Sequence, residues 1–162
     1  MHSIMKRLLF AVLAAALLIS CEKENVIHTG DITGSLYGIW QLDTKTVVYN
    51  SGNNEKSDVK DYSNAHFYLS LSEPRLALAK KGSFTNLDLD DVDVDATTFS
   101  FNAEQRSLSF DDILWLSDEV LTYNMILKGK FDVLELTDTK LVISQKDLTA
   151  KTTTVYTYHR YR

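Results

Sequence analysis

Trp40-Gln41-Leu42-Asp43-Thr44-Lys45-Thr46-Val47-Val48 sets apolar or β-branched residues at every second position from Trp40, with Gln41, Asp43 and Lys45 between them. A period of two marks a pleated strand with one face in a core and the other in water, so this stretch predicts a long first strand. Phe67, Leu69 and Leu71 alternate in the same way with His66, Tyr68 and Ser70, up to Pro74. Leu76 to Ala79 predicts another short strand, ending at Lys80-Lys81-Gly82.

Further along the chain, hairpin signals recur. Phe99-Ser100-Phe101 and Leu108-Ser109-Phe110 flank a turn at Asn102 to Gln105. Leu121, Tyr123, Met125 and Leu127 share one face of the next run, which breaks at Lys128-Gly129-Lys130. Phe131 to Leu136 and Leu141 to Ser144 form a hairpin about Thr137-Asp138-Thr139-Lys140, and Thr152 to Tyr161 is a Thr- and Tyr-rich last strand. Asn50 to Asp61 is polar and predicts a loop. At Asp111 to Glu119, Asp112 is expected to cap one helical turn through Ile113, Leu114, Trp115 and Leu116. Eight or more short antiparallel strands must hide their edges, which a single up-and-down β-barrel does most completely. A two-sheet β-sandwich would use the same strands.

The N-terminus reads differently. Lys6 and Arg7 precede an uncharged run from Leu8 to Ile19, too short for a permanent membrane span and suited to an export signal. Leu18-Ile19-Ser20-Cys21 resembles the lipobox of bacterial lipoproteins. The resemblance implies cleavage after residue 20 and lipid on Cys21, whose thiol is the acylated nucleophile. Residues 1–20 are thus expected to be a signal peptide, 21–34 a polar flexible tether, and 35–162 one barrel domain. Glu22, where an inner-membrane retention signal would place Asp, points to the outer membrane, facing the periplasm or the surface.

Charge excludes one class of partner. The chain carries a net charge of −5, and the signal holds two of its basic residues and none of its acidic ones, so the remainder is more acidic still. Such a chain has no electrostatic footprint for nucleic acid, and membrane contact is expected through the lipid alone. Cys21 is the only cysteine, which rules out an intrachain disulfide.

Tyr37-Gly38-Ile39-Trp40, the run from Phe131 to Ile143 and the final Tyr156-Thr157-Tyr158-His159-Arg160-Tyr161 together resemble the lipocalin-like (calycin-type) domains of unknown function on lipoproteins of Gram-negative bacteria. The resemblance spans about residues 35–162. It implies that Trp40, introduced by Gly38, plugs one end of the barrel while an arginine of the last strand lies across its ring. Arg160 is preferred to Arg162 for that role because it is less terminal. A guanidinium over an indole gains a cation–π contact while bonding nearby carbonyls.

Few residues suggest chemistry. In Asp88-Leu89-Asp90-Asp91-Val92-Asp93-Val94-Asp95, the residues Asp91, Asp93 and Asp95 hold the first, third and fifth positions of an EF-hand loop. Ala96 stands where the loop needs Gly, and Asn102 where it needs a bidentate Glu, so a solvated acidic strand face is favoured over calcium. His28, His66 and His159 are scattered, and neither a nucleophile elbow nor a phosphate loop occurs. No cofactor is expected, and enzyme activity has no positive support. Tyr49, Tyr68, Trp115, Tyr123, Tyr156, Tyr158 and Tyr161 could line a pocket, but suit cross-strand packing better. The expected function is that of a lipid-anchored envelope binding module, with a small apolar or amphipathic ligand in the barrel. The alternative is an accessory lipoprotein whose filled barrel contacts an envelope protein or glycan.

Overall fold

The computed structural model describes residues 27, 29–51, 54–82 and 94–162. The predicted signal segment and Cys21 lie outside the described residues, as do Asp91 and Asp93. Nine strands follow in order: β1 (Gly38–Ser51), β2 (Asn54–Asp61), β3 (Phe67–Ser72), β4 (Leu76–Lys81), β5 (Val94–Asn102), β6 (Ser107–Asp118), β7 (Tyr123–Leu136), β8 (Lys140–Asp147) and β9 (Thr152–Arg160). No helix occurs among the described residues.

Each of β3 to β9 pairs antiparallel with the next, and β9 returns to β1 along nearly its whole length, from Trp40↔Arg160 to Tyr49↔Thr152. β3 pairs with the first part of β1, Gly38 to Gln41. These eight strands form a closed up-and-down barrel, with β2 outside the ring and paired only with β1 among the described strands. Closure leaves the ring without free edges, and the sandwich alternative is excluded by the β1–β9 ladder.

Antiparallel order places the turns after β3, β5 and β7 at one end, together with Gly38 and Arg160. The connections after β1, β6 and β8 lie at the other. The second half of β1, Thr44 to Ser51, runs beyond β3 and pairs with β2. Within the predicted loop from Asn50 to Asp61, residues 54–61 are instead β2, which completes a two-stranded ribbon with β1 at that second end.

A bulge between Leu42 and Thr44 changes the register of β1 against β9. Before it, Trp40 and Leu42 point into the barrel and are fully buried. After it, Lys45 is the residue opposite inward-facing Tyr156. The strict alternation expected from Trp40 to Val48 is thus reversed halfway.

The predicted helical turn at Asp111 to Glu119 is also corrected, because these residues belong to β6 and its end. Leu114 and Leu116 are buried while Ile113 and Trp115 are exposed, a period of two imposed by pairing with β7. Asp112 does not cap a helix. Its backbone N–H donates to Thr97 Oγ1 (2.9 Å), in the irregular stretch between Phe110 and Leu114.

The folded body begins earlier than residue 35. Gly30 N–H donates to the Leu134 carbonyl (2.9 Å), Thr33 and Gly34 N–H both donate to that of Leu136 (2.8 and 3.0 Å), and Ile32 forms a parallel bridge with Leu136. A Cβ on Gly34 would lie 2.2 Å from the Thr137 backbone, so only glycine permits this approach. Residues 30–34 are an ordered flap on the end of β7 rather than part of a free tether.

Inward side chains fill the barrel. Phe67, Leu69, Leu71, Leu108, Leu114, Leu127, Phe131 and Tyr158 are all essentially inaccessible to solvent. Phe131 meets Phe110 edge-on (5.8 Å between centroids) and Tyr156 at 6.3 Å. Tyr158 on β9 reaches past β8 to donate its hydroxyl proton to Met125 Sδ on β7 (3.4 Å).

Candidate functional site

The first end of the barrel is closed by Trp40. Its ring is wholly buried, and Nε1 donates to the Leu36 carbonyl (2.9 Å), drawing the segment before β1 across the opening. Leu36 is itself buried beneath that crossing. The Arg160 guanidinium lies 4.2 Å from the Trp40 ring centroid. It donates from Nη1 to the Tyr37 carbonyl (2.8 Å), from Nη2 to that of Ser35 and from Nε to that of Asp138. One planar cation on β9 thus ties together two backbone segments, the stretch before β1 and the β7–β8 turn, a task that suits the fixed fork of arginine and not the single point of lysine. Gly38, at φ +147°, gives the fork room: a Cβ there would come 2.2 Å from Arg160 Nη1. Arg162 is placed apart, its guanidinium 5.3 Å from the Tyr161 ring, while its carbonyl accepts the Ile39 N–H (2.8 Å). These are structural roles, with no chemistry exposed.

The second end is more open. Tyr62, which follows β2, is buried across it, stacking on Tyr123 (4.5 Å) and meeting Phe67 edge-on (5.7 Å). Its hydroxyl donates to the Asn124 carbonyl (2.9 Å) and accepts the Asn124 N–H (3.1 Å), joining the ribbon to β7. Beside it, Lys45 and Lys60 are direct cross-strand partners. Lys45 Nζ donates to Asn124 Oδ1 (2.6 Å) and lies 5.7 Å from the Tyr156 ring centroid. Lys60 Nζ donates to the Thr122 carbonyl (3.3 Å) and lies 5.9 Å from the Tyr123 ring centroid. Burial, and then the neighbouring Lys60 charge, lower the pKa of Lys45 below the ordinary lysine value. A groove of about 190 Å³ opens here between Lys45, Val47, Asp58, Lys60, Tyr62 and Asn124.

A second groove, of about 180 Å³, runs over the outer wall where Ile27 enters, floored by Leu134, Val142 and Val155. Neither groove approaches the roughly 300–1,000 Å³ of a drug-sized ligand site.

The remaining candidates stand apart from both ends' machinery. Asp95, the one described member of the proposed calcium set, accepts the Ala96 N–H on Oδ1 (2.9 Å) and the Trp115 N–H on Oδ2 (2.8 Å). Its carboxylate thereby satisfies the irregular β5–β6 junction. No cluster of three metal-ligating side chains occurs among the described residues. His159 faces outward, its Nδ1 2.6 Å from Asp43 Oδ1 at the β1 bulge, and both side chains are partly exposed. Of the aromatic set, Tyr156 and Tyr158 lie inside the barrel, Tyr68 packs on Tyr161 (5.0 Å) outside it, and Trp115 and Tyr49 are exposed. Lys60, Tyr62 and Asn124 were not singled out by sequence reasoning, because their meeting depends on β2.

No protein-family model matches the chain, and no curated protein matches it. The fold and the two barrel ends therefore stand on their own geometry.

Proposed function

We propose that this chain is a lipid-anchored, lipocalin-like envelope protein that works as a non-enzymatic interaction module for a protein or glycan partner. The observation that carries this reading is the filled interior. A carrier of apolar ligands would have to displace Tyr62, Phe67 and the Leu and Phe side chains beneath them, each displacement leaving packing lost elsewhere. Exposed apolar side chains meanwhile collect near the second end: Val120 is 92% exposed, Leu148 87% and Trp115 59%. On this reading these three side chains are where the partner makes contact. The anchor on Cys21 would supply the outer-membrane address, with the acidic body standing off the lipid.

Native mass spectrometry of protein purified from its envelope, paired with photo-crosslinking from position 148, tests this reading. The expected result is a ligand-free mass and a discrete crosslinked envelope partner. A stoichiometric apolar small molecule travelling with the protein, and no crosslink, would replace the proposal with the carrier reading.

A further inference from the structure

We propose that the groove between β1, β2 and β7 binds a singly charged carboxylate, held between the ammonium groups of Lys45 and Lys60. Directly opposed like charges destabilise a strand pair, and Lys45 and Lys60 occupy that arrangement. Neither has a carboxylate partner among the described residues. The Lys45 ammonium donates to Asn124 Oδ1 (2.6 Å) and weakly to the Asn124 carbonyl (3.4 Å), and that of Lys60 to the Thr122 carbonyl alone (3.3 Å). Each ammonium carries three protons, so donors remain on both.

The surroundings define the ligand. Tyr156 and Tyr123 place ring faces near the two cations, which steers them electrostatically and excludes water on that side. Val47 and Tyr62 add apolar wall, and the volume of about 190 Å³ admits a carboxylate with a few carbons behind it. Asp58 lines the same groove and leaves it a net single positive charge. One carboxylate neutralises that balance, whereas a phosphate dianion would leave the groove with a net negative charge beside Asp58. A bound anion would also reverse the depression of the Lys45 pKa, since it would favour the charged ammonium. The carboxylate could be a free acid or an acidic side chain or terminus of a partner; the site reads only the shared group. None of this depends on the lipid anchor.

Titration of the full chain with sodium propionate, followed by NMR of the lysine side chains, is the test. The expected result is a saturable shift of the Lys45 and Lys60 signals, with Lys45 titrating at higher pH in the complex. K60Q, at an exposed position, should weaken binding at least tenfold, K45Q likewise, and K56Q should leave it unchanged. Should K45Q lose its fold, K60Q alone decides. Parallel, unsaturating drift of all lysines, or K60Q binding as tightly as the parent, would overturn the site. Inorganic phosphate binding more tightly than propionate would overturn the assignment to a carboxylate.

Discussion

The Arg160 guanidinium covers the Trp40 ring at 4.2 Å while bonding three backbone carbonyls, so a single side chain both stacks on the barrel's plug and ties down the segment crossing it. Arg160→Ala removes the stack and the three charge-assisted bonds together. We expect a loss of about 2–3 kcal/mol in urea unfolding with little change in slope. Arg160→Lys keeps the charge but loses the fork, and should recover less than half of that. A double-mutant cycle with Trp40→Phe should show coupling of about 1 kcal/mol; additive effects would mean that the two side chains act separately.

Gly38→Ala tests the space that Arg160 occupies. The new methyl would lie 2.2 Å from Nη1, in a backbone conformation that L-residues rarely adopt. The variant should lose more than about 1 kcal/mol. In the Arg160→Ala background that loss should shrink but not vanish, because the Arg162 carbonyl oxygen, 2.9 Å from the new methyl, and the positive φ still oppose it. An equal loss in both backgrounds would show that the guanidinium is not what Gly38 accommodates.

Alkaline pH should unfold the barrel from within. Burial raises the Tyr156 pKa to about 12 and that of Tyr158 well above its ordinary value. Both phenols hold their protons more tightly folded than unfolded. Their contribution is therefore complete below pH 10 and is lost as pH rises through the folded pKa values. Stability measured by thermal melts should be flat from these groups below pH 10 and fall between about pH 10 and 12. Tyr156→Phe should flatten part of that fall, at a neutral-pH cost of about 1 kcal/mol for the hydroxyl's bond to the Ile126 carbonyl.

Cys21→Ser tests the proposed anchor. The variant should leave the membrane fraction and remain folded, since Cys21 lies before the ordered flap that begins near Gly30. Retention in the membrane fraction after a carbonate wash would contradict lipidation as the means of attachment.

Much of the barrel was legible because most strands bury one face. Phe67 and Leu69, Phe99 and Phe101, and Met125 and Leu127 each fall on alternate positions, and each pair faces inward. β2 was not legible, because it packs on one neighbour only and Val59 is the sole apolar residue in Asn54–Asp61. The bulge at Asp43 left no trace either: Thr44 and Thr46 tolerate core or solvent equally, so the reversal of faces is invisible in composition. Ile113 to Leu116 is a continuous apolar run, which helix and strand both accept, and only the β7 partner decides it. Gly38, Trp40 and Arg160 could be named in advance only through the resemblance that their motifs carry. Lys60, Tyr62 and Asn124 could not, since they meet only because β2 folds back beside β1.

The proposed function requires a barrel filled by its own side chains. Its most direct test is methyl NMR of the interior leucines, Leu69, Leu108, Leu114 and Leu127, during titration with a neutral long-chain alcohol that has no charge for the lysine groove. The predicted result is no saturable shift at any of the four. Saturable, stoichiometric shifts at these methyl groups would show that the interior opens to ligand, and would contradict the filled barrel on which the proposed function stands.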